Sequence, residues 1–123
     1  ATVLDVLGYE LPEEDRRPYD GVSLLPLIEG QVSKRSAPIG FQGHGLATLN
    51  DNRFKLVHNP GKKRLKSDNG TAPISEWELY DLKVDQSETT NVIDKHAKLA
   101  ARMRVQLEEW QASCEASNRG DDY

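Results

Sequence analysis

The stretch Glu76–Asn91, EWELYDLKVDQSETTN, constrains this chain more than any other. Trp77, Leu79 and Asp81 alternate with Glu78, Tyr80 and Leu82, which is the period of a strand. Aromatic and aliphatic residues on both faces predict a strand covered on both sides. Asp81, Asp85, Ser87, Thr89, Thr90 and Asn91 then supply short side-chain oxygens that bond nearby backbone amides. That chemistry suits a turn and a helix entry and works against a continuing strand. A helical pattern follows from about Asp94 to Cys114. Leu99, Met103, Leu107, Trp110 and Cys114 form one apolar stripe, with Met103 and Trp110 expected to face the strand at Trp77–Tyr80. The segment thus places a central strand, reverses the chain and aims a helix back across a sheet.

The remaining elements arrange themselves around that core. Ala1–Gly8, ATVLDVLG, reads as the end of a helix, with Val3, Leu4, Val6 and Leu7 on an apolar face and Gly8 as its left-handed cap. No N-cap precedes it, so the segment reads as cut from a longer element. Glu10–Asp20 is charged, holds Pro12 and Pro18, and reads as a surface loop. In Asp20–Gly30, Ser23 is placed to cap a short helix and Pro26 restricts it to a first turn. Ala37–Gln42, Leu46–Asn50 and Arg53–His58 read as strands. Asp51-Asn52 is the expected tight hairpin, since both residue types tolerate positive φ. Asn59–Ser75 is rich in Gly, Pro, Asn and Lys and reads as a long loop. Ala116–Tyr123 reads as a polar tail. The expected fold class is α+β: a small antiparallel sheet of about four strands with a C-terminal helix packed on it.

Composition limits what such a fold can serve. At 123 residues the chain fits one modest core. A formal charge of −4 gives it no polycation character and no general pull toward nucleic acid. No apolar run approaches the ~20 residues that cross a bilayer. The one cysteine, Cys114, excludes an intramolecular disulfide and a zinc site built from several thiolates. Hydrophobic residues make up 37% and the mean hydropathy is −0.69, so either the surface is very polar or some apolar groups serve a surface outside this chain.

Chemically active constellations are few. His44 lies between Gly43 and Gly45, where bare backbone lets the ring reach outward. It reads either as a ligand-contacting or proton-transferring histidine or as a surface residue of a flexible turn. His58 and His96 lack partners at metal-ligand spacing, and no metal site is expected. Lys62, Lys63, Arg64 and Lys66 form the one basic cluster, suited to an anionic polymer such as a sulfated glycan or simply to a solvated loop. Asn69-Gly70-Thr71 matches the short glycosylation sequon. Gly21-Val22-Ser23-Leu24-Leu25 lacks the last glycine of a nucleophile elbow, and no phosphate loop is present.

ATVLDVLG, DGVSLLPLIEG, RFKLVHN, ELYDLKVDQSETTN, a terminal helix carrying Trp, and SNRGDDY together resemble the C-terminal region of type I, formylglycine-dependent bacterial sulfatases and arylsulfatases. The resemblance covers nearly the whole chain and rests on order and spacing. Glu78-Leu79-Tyr80-Asp81-Leu82 with Asp85, Glu88 and Asn91 is similar to the family's most recognisable C-terminal signature, with Gln86 where Pro is frequent. The resemblance implies an alkaline-phosphatase-like sulfatase C-terminal subdomain spanning 31–123, with 1–30 as a remnant of the linker from a catalytic domain. It also implies a parent that hydrolyses sulfate esters with calcium and a formylglycine, in the periplasm or outside the cell.

The departures locate the chemistry elsewhere. Cys114-Glu115-Ala116-Ser117-Asn118 has neither the Pro nor the Arg of the C-x-P-S-R motif that yields formylglycine. No motif here matches the family's calcium ligands or its catalytic His and Lys. The resemblance therefore implies a fragment with no catalytic residue, metal or cofactor of its own, inactive alone. It would brace a catalytic domain N-terminal to it, while His44, Lys62, Lys63 and Arg64 contact substrate near the entrance. The alternative is a stand-alone module that binds an anionic, sulfated glycan. Val3, Leu4, Val6, Leu7, Leu24, Leu25, Leu27 and Ile28 exceed what one edge of a small sheet absorbs, so self-association through residues 1–28 is expected.

Overall fold

A computed structural model describes residues 1–13, 21–61 and 75–121. The chain divides into two compact units, Pro38–Ser113, and Ala1–Ala37 with Cys114–Tyr123. In the first unit β1 (Ile39–Gly43), β2 (Leu46–Asn50), β3 (Phe54–His58) and β4 (Trp77–Asp81) form one sheet in the order β1-β2-β3-β4. Every neighbouring pair is antiparallel. The register places Gly40, Leu49, Leu56 and Leu79 in one row across the four strands. With Ala47, the three leucines form a buried core with Ala100, Met103 and Leu107 of α3 (Ala97–Arg119). The α+β class expected from the sequence is the one observed.

β4 is covered on both faces, as its residue pattern predicts. Leu79 is 0% exposed on the helix side, and Tyr80 is buried on the other, the face that also carries buried Thr48 and Val57. Burial and the neighbouring Glu78 push the Tyr80 hydroxyl up to about 12, so it stays protonated and donates to the Glu78 carboxylate.

The polar run after β4 does what its side chains suggest. The Asn91 Oδ1 accepts the Leu79 N–H at 3.0 Å and the Ile93 N–H at 3.0 Å, and the Val92 N–H donates to the Leu79 carbonyl at 2.8 Å. This closes the outer edge of β4 against further pairing. Asp85 accepts N–H groups from Thr89 and Thr90 at 2.9 and 2.8 Å. Glu88 sits in the left-handed region at φ 56, and its carboxylate is gripped by the Lys55 ammonium at 2.8 and 2.9 Å. A short 3-10 turn, Asp94–His96, then leads into α3.

Three expectations need correction. The β2–β3 reversal does not use positive φ at Asp51 or Asn52. Asp51 and Phe54 face each other through an Asp51 N–H bond to the Phe54 carbonyl at 2.9 Å, so the loop proper is Asn52-Arg53. The Asp51 carboxylate stabilises it by accepting the Asn52 N–H at 2.6 Å. Next, α3 does not stop at Cys114 but runs to Arg119, because no helix breaker precedes Gly120, whose φ of 79 ends it. Finally, Met103 is in the core, but Trp110 lies over β1 rather than over β4. A Cβ built on Gly40 would sit 2.3 Å from the Trp110 ring, so the indole occupies the space a side chain would need.

The second unit is assembled from small pieces. α1 (Thr2–Leu7) ends at Gly8 in the left-handed conformation, φ 60, as its sequence indicates. The Thr2 hydroxyl accepts the Leu24 N–H at 3.0 Å, which ties α1 to the entry of α2 (Leu25–Ile28). Ser23 accepts the Leu25 N–H at 3.2 Å, but the N-cap position falls one residue later, at Leu24, which makes no side-chain cap bond. Neither helix buries a residue; Val3, Leu7 and Ile28 are 70%, 71% and 71% exposed.

Two carboxylates give the fold a pH dependence. Hydrogen bonds from Arg53 hold Asp81 below the usual carboxylate range, and the Thr90 and Thr89 N–H groups do the same for Asp85. A carboxyl whose folded value is depressed contributes stability that is present above its unfolded value and lost as pH falls through the folded one. The melting temperature should therefore be flat above about pH 5 and fall steadily below about pH 4. In Asp85→Asn that acid slope should flatten. An unchanged slope would remove Asp85 from the account.

Candidate functional site

Of the sequence-predicted site residues, His44 is the one within the described residues, and it lies at one end of the sheet. Gly43 pairs with Leu46, so His44-Gly45 is a two-residue turn, and both residues are left-handed, at φ 51 and φ 77. Paired positive φ values suit the twist of the flanking strands, and histidine enters that region more readily than bulky residues do. The ring is carried at the exposed tip and has no side-chain partner among the described residues. Ala47, His58 and Trp77 lie in one row at this same end. The Asn59 N–H donates to the Glu76 carbonyl at 2.8 Å, closing the neck from which the chain leaves β3 and to which it returns. Lys62, Lys63, Arg64, Lys66 and the glycosylation sequon lie outside the described residues.

A cluster not anticipated from the sequence sits at the neck. The His58 and Trp77 rings stack at 3.9 Å with their planes 8° apart. His58 Nε2 and Glu76 Oε1 are 3.1 Å apart. From α3, the Arg104 guanidinium lies over the Trp77 ring at 4.3 Å. Each residue is ordinary alone. The signal was in the strand faces: His58 follows Leu56, and Trp77 precedes Leu79, on the helix side. Only the register β3 adopts with β4 makes them partners.

The opposite end of the sheet is architecture. Arg53 Nε donates to Asp81 Oδ1 at 2.9 Å, with a second bond from Nη2 to Oδ2. The Arg53 guanidinium also lies over the Phe54 ring at 5.0 Å, and Phe54 meets the His96 ring at 5.1 Å. These bonds engage both Asp81 carboxylate oxygens and hold the Arg53 guanidinium beside Phe54. Among the described residues no group of three or more His, Cys, Asp and Glu side chains is placed to hold a metal. No helix among them is long and apolar enough to cross a membrane.

Neither a protein-family model nor a curated protein matches the sequence. Solved structures do. A Bacteroides thetaiotaomicron protein described in the metabolism of multiple glycosaminoglycans superposes with a TM-score of 0.61 at 20% identity, over 90% of this chain and 23% of that one. A 2-O GAG sulfatase matches with a TM-score of 0.59 at 22% identity, over 97% of this chain and 25% of that one. A protein solved with its substrate, D-glucosamine-2-N,6-O-disulfate, matches with a TM-score of 0.55 at 23% identity, over 90% and 22%. The chain has the fold of a C-terminal subdomain of bacterial sulfatases, and it spans about a quarter of the length of these neighbours.

Proposed function

We propose that this chain is the C-terminal subdomain of a sulfatase, bracing a catalytic portion of the same polypeptide and bordering its substrate entrance with His44, Lys62, Lys63 and Arg64. The carrying observation is coverage: nearly all of this chain superposes on less than a third of proteins that include a sulfatase. The sulfated glucosamine bound by one neighbour suggests sulfated saccharides as the substrate class.

The hydrolysis itself belongs to the catalytic portion. Type I chemistry uses a formylglycine nucleophile and calcium, and the described residues of this chain do not fit that metal. Asp81 and Asp85, well-placed carboxylates, are committed to Arg53 and to backbone N–H groups. Cys114 stands outside any sequence that would be converted to formylglycine. This chain contributes position and shape.

Purified as 123 residues, the chain should leave 4-nitrophenyl sulfate unhydrolysed, and its coding sequence should carry an in-frame C-x-P-S-R or S-x-P-x-R motif upstream of Ala1. Turnover that follows the chain through successive columns and disappears in Cys114→Ser would overturn the reading, as would an upstream region with neither motif.

The exposed Val3, Val6, Leu7 and Ile28 would be covered by the catalytic portion in the parent. In the isolated chain a second copy takes that place, by symmetric pairing or exchange of the segment. Sedimentation should show self-association of the intact chain and a monomer for a version starting at Asp20. A monomeric intact chain defeats this part of the proposal.

A further inference from the structure

Arg104 is an exposed arginine without an ion-pair or hydrogen-bond partner among the described residues, yet it is not loose. Its guanidinium lies over Trp77 at 4.3 Å, and Trp77 is itself fixed by the stacked His58 ring. His58 is tied in turn to Glu76, whose carboxylate is thereby engaged. The Glu108 carboxylate lies one helical turn beyond Arg104, and no ion pair joins the two. Stacking occupies the flat face of a guanidinium and leaves its edge, where all five N–H donors lie, open to a planar or tetrahedral oxyanion. An arginine already held in place loses less freedom on binding than one that must be ordered by its ligand.

We propose that Arg104, held over Trp77 beside the His58–Glu76 pair, is an oxyanion subsite that binds a sulfate group of a saccharide. The choice of sulfate over other oxyanions rests on the sulfatase reading above. The guanidinium edge donates two parallel N–H bonds to two sulfate oxygens, and the Trp77 ring holds the fork in register.

The test uses the full 123-residue chain, D-glucosamine-2-N,6-O-disulfate, inorganic sulfate and unsulfated glucosamine, and follows the indole N–H signals of Trp77 and Trp110 by NMR. The disulfate should shift the Trp77 signal saturably and leave Trp110 unmoved. Sulfate alone should shift it more weakly, and glucosamine should not. Arg104→Gln should weaken disulfate binding about ten-fold or more, the scale of a lost charge-assisted pair. Arg104→Lys keeps the charge but not the planar fork and should lose nearly as much. An unmoved Trp77 signal at millimolar disulfate overturns the site, as does equal affinity in Arg104→Gln. Full affinity in Arg104→Lys overturns the stacked fork. Because binding is read without turnover, loss of this site leaves the sulfatase reading standing, and an inactive parent leaves the site standing.

Discussion

Leu79→Ala is expected to lower the unfolding free energy by about 2–5 kcal/mol, measured by urea denaturation with an unchanged m value. Leu79 is 0% exposed and lies in the row with Leu49 and Leu56, beneath Met103 and Leu107. Truncation removes the transfer energy of the lost carbons and leaves a void bounded by regular elements that cannot collapse into it. Its backbone is held as well, by the Asn91 side chain on its N–H and by Val92 on its carbonyl. The strand therefore cannot shift to fill the space. A small domain has only ~5–15 kcal/mol to lose, so this one change brings the sheet-and-helix unit near its threshold. A loss below about 1 kcal/mol would mean that β4 is not the centre of the core.

The second large effect should come from adding atoms. Gly40→Ala places a Cβ where the Trp110 ring already lies, 2.3 to 2.7 Å from three of its atoms. An indole packed between a helix and a strand has to tilt or lift, an overpacking cost of about 1–3 kcal/mol. The clash has one named cause, so it should vanish when the cause is removed. In a Trp110→Ala background the same Gly40→Ala change should cost less than about 0.5 kcal/mol, a strong departure from additivity. Trp110→Ala alone should cost less than the ~3–5 kcal/mol of a fully enclosed tryptophan, because this ring is only partly buried. Strict additivity in the cycle would show that the indole does not rest on Gly40.

The chain's periodicity, by itself, determined the elements around Leu79. Alternation in Trp77–Asp81 specifies a strand with two covered faces, since successive side chains point to opposite sides. Oxygen-bearing side chains from Asp85 to Asn91 specify a reversal, since they bond the nearest amides whatever lies further away. Steps of three and four from Leu99 to Leu107 specify the face of α3 that becomes core. His44 was legible as a turn residue because its two glycine neighbours are local information.

Only the tertiary structure decided the pairings between residues far apart in the sequence. His58 meets Trp77 and Glu76 across 18 residues or more, through a register that no local pattern encodes. Arg104 reaches Trp77 because α3 crosses the sheet at one particular angle, and the same angle carries Trp110 away from β4 to Gly40 on β1. A stripe of apolar residues records which side of a helix is buried. It does not record which strand lies beneath each turn, because that is set by the packing of ridges into grooves over the whole interface.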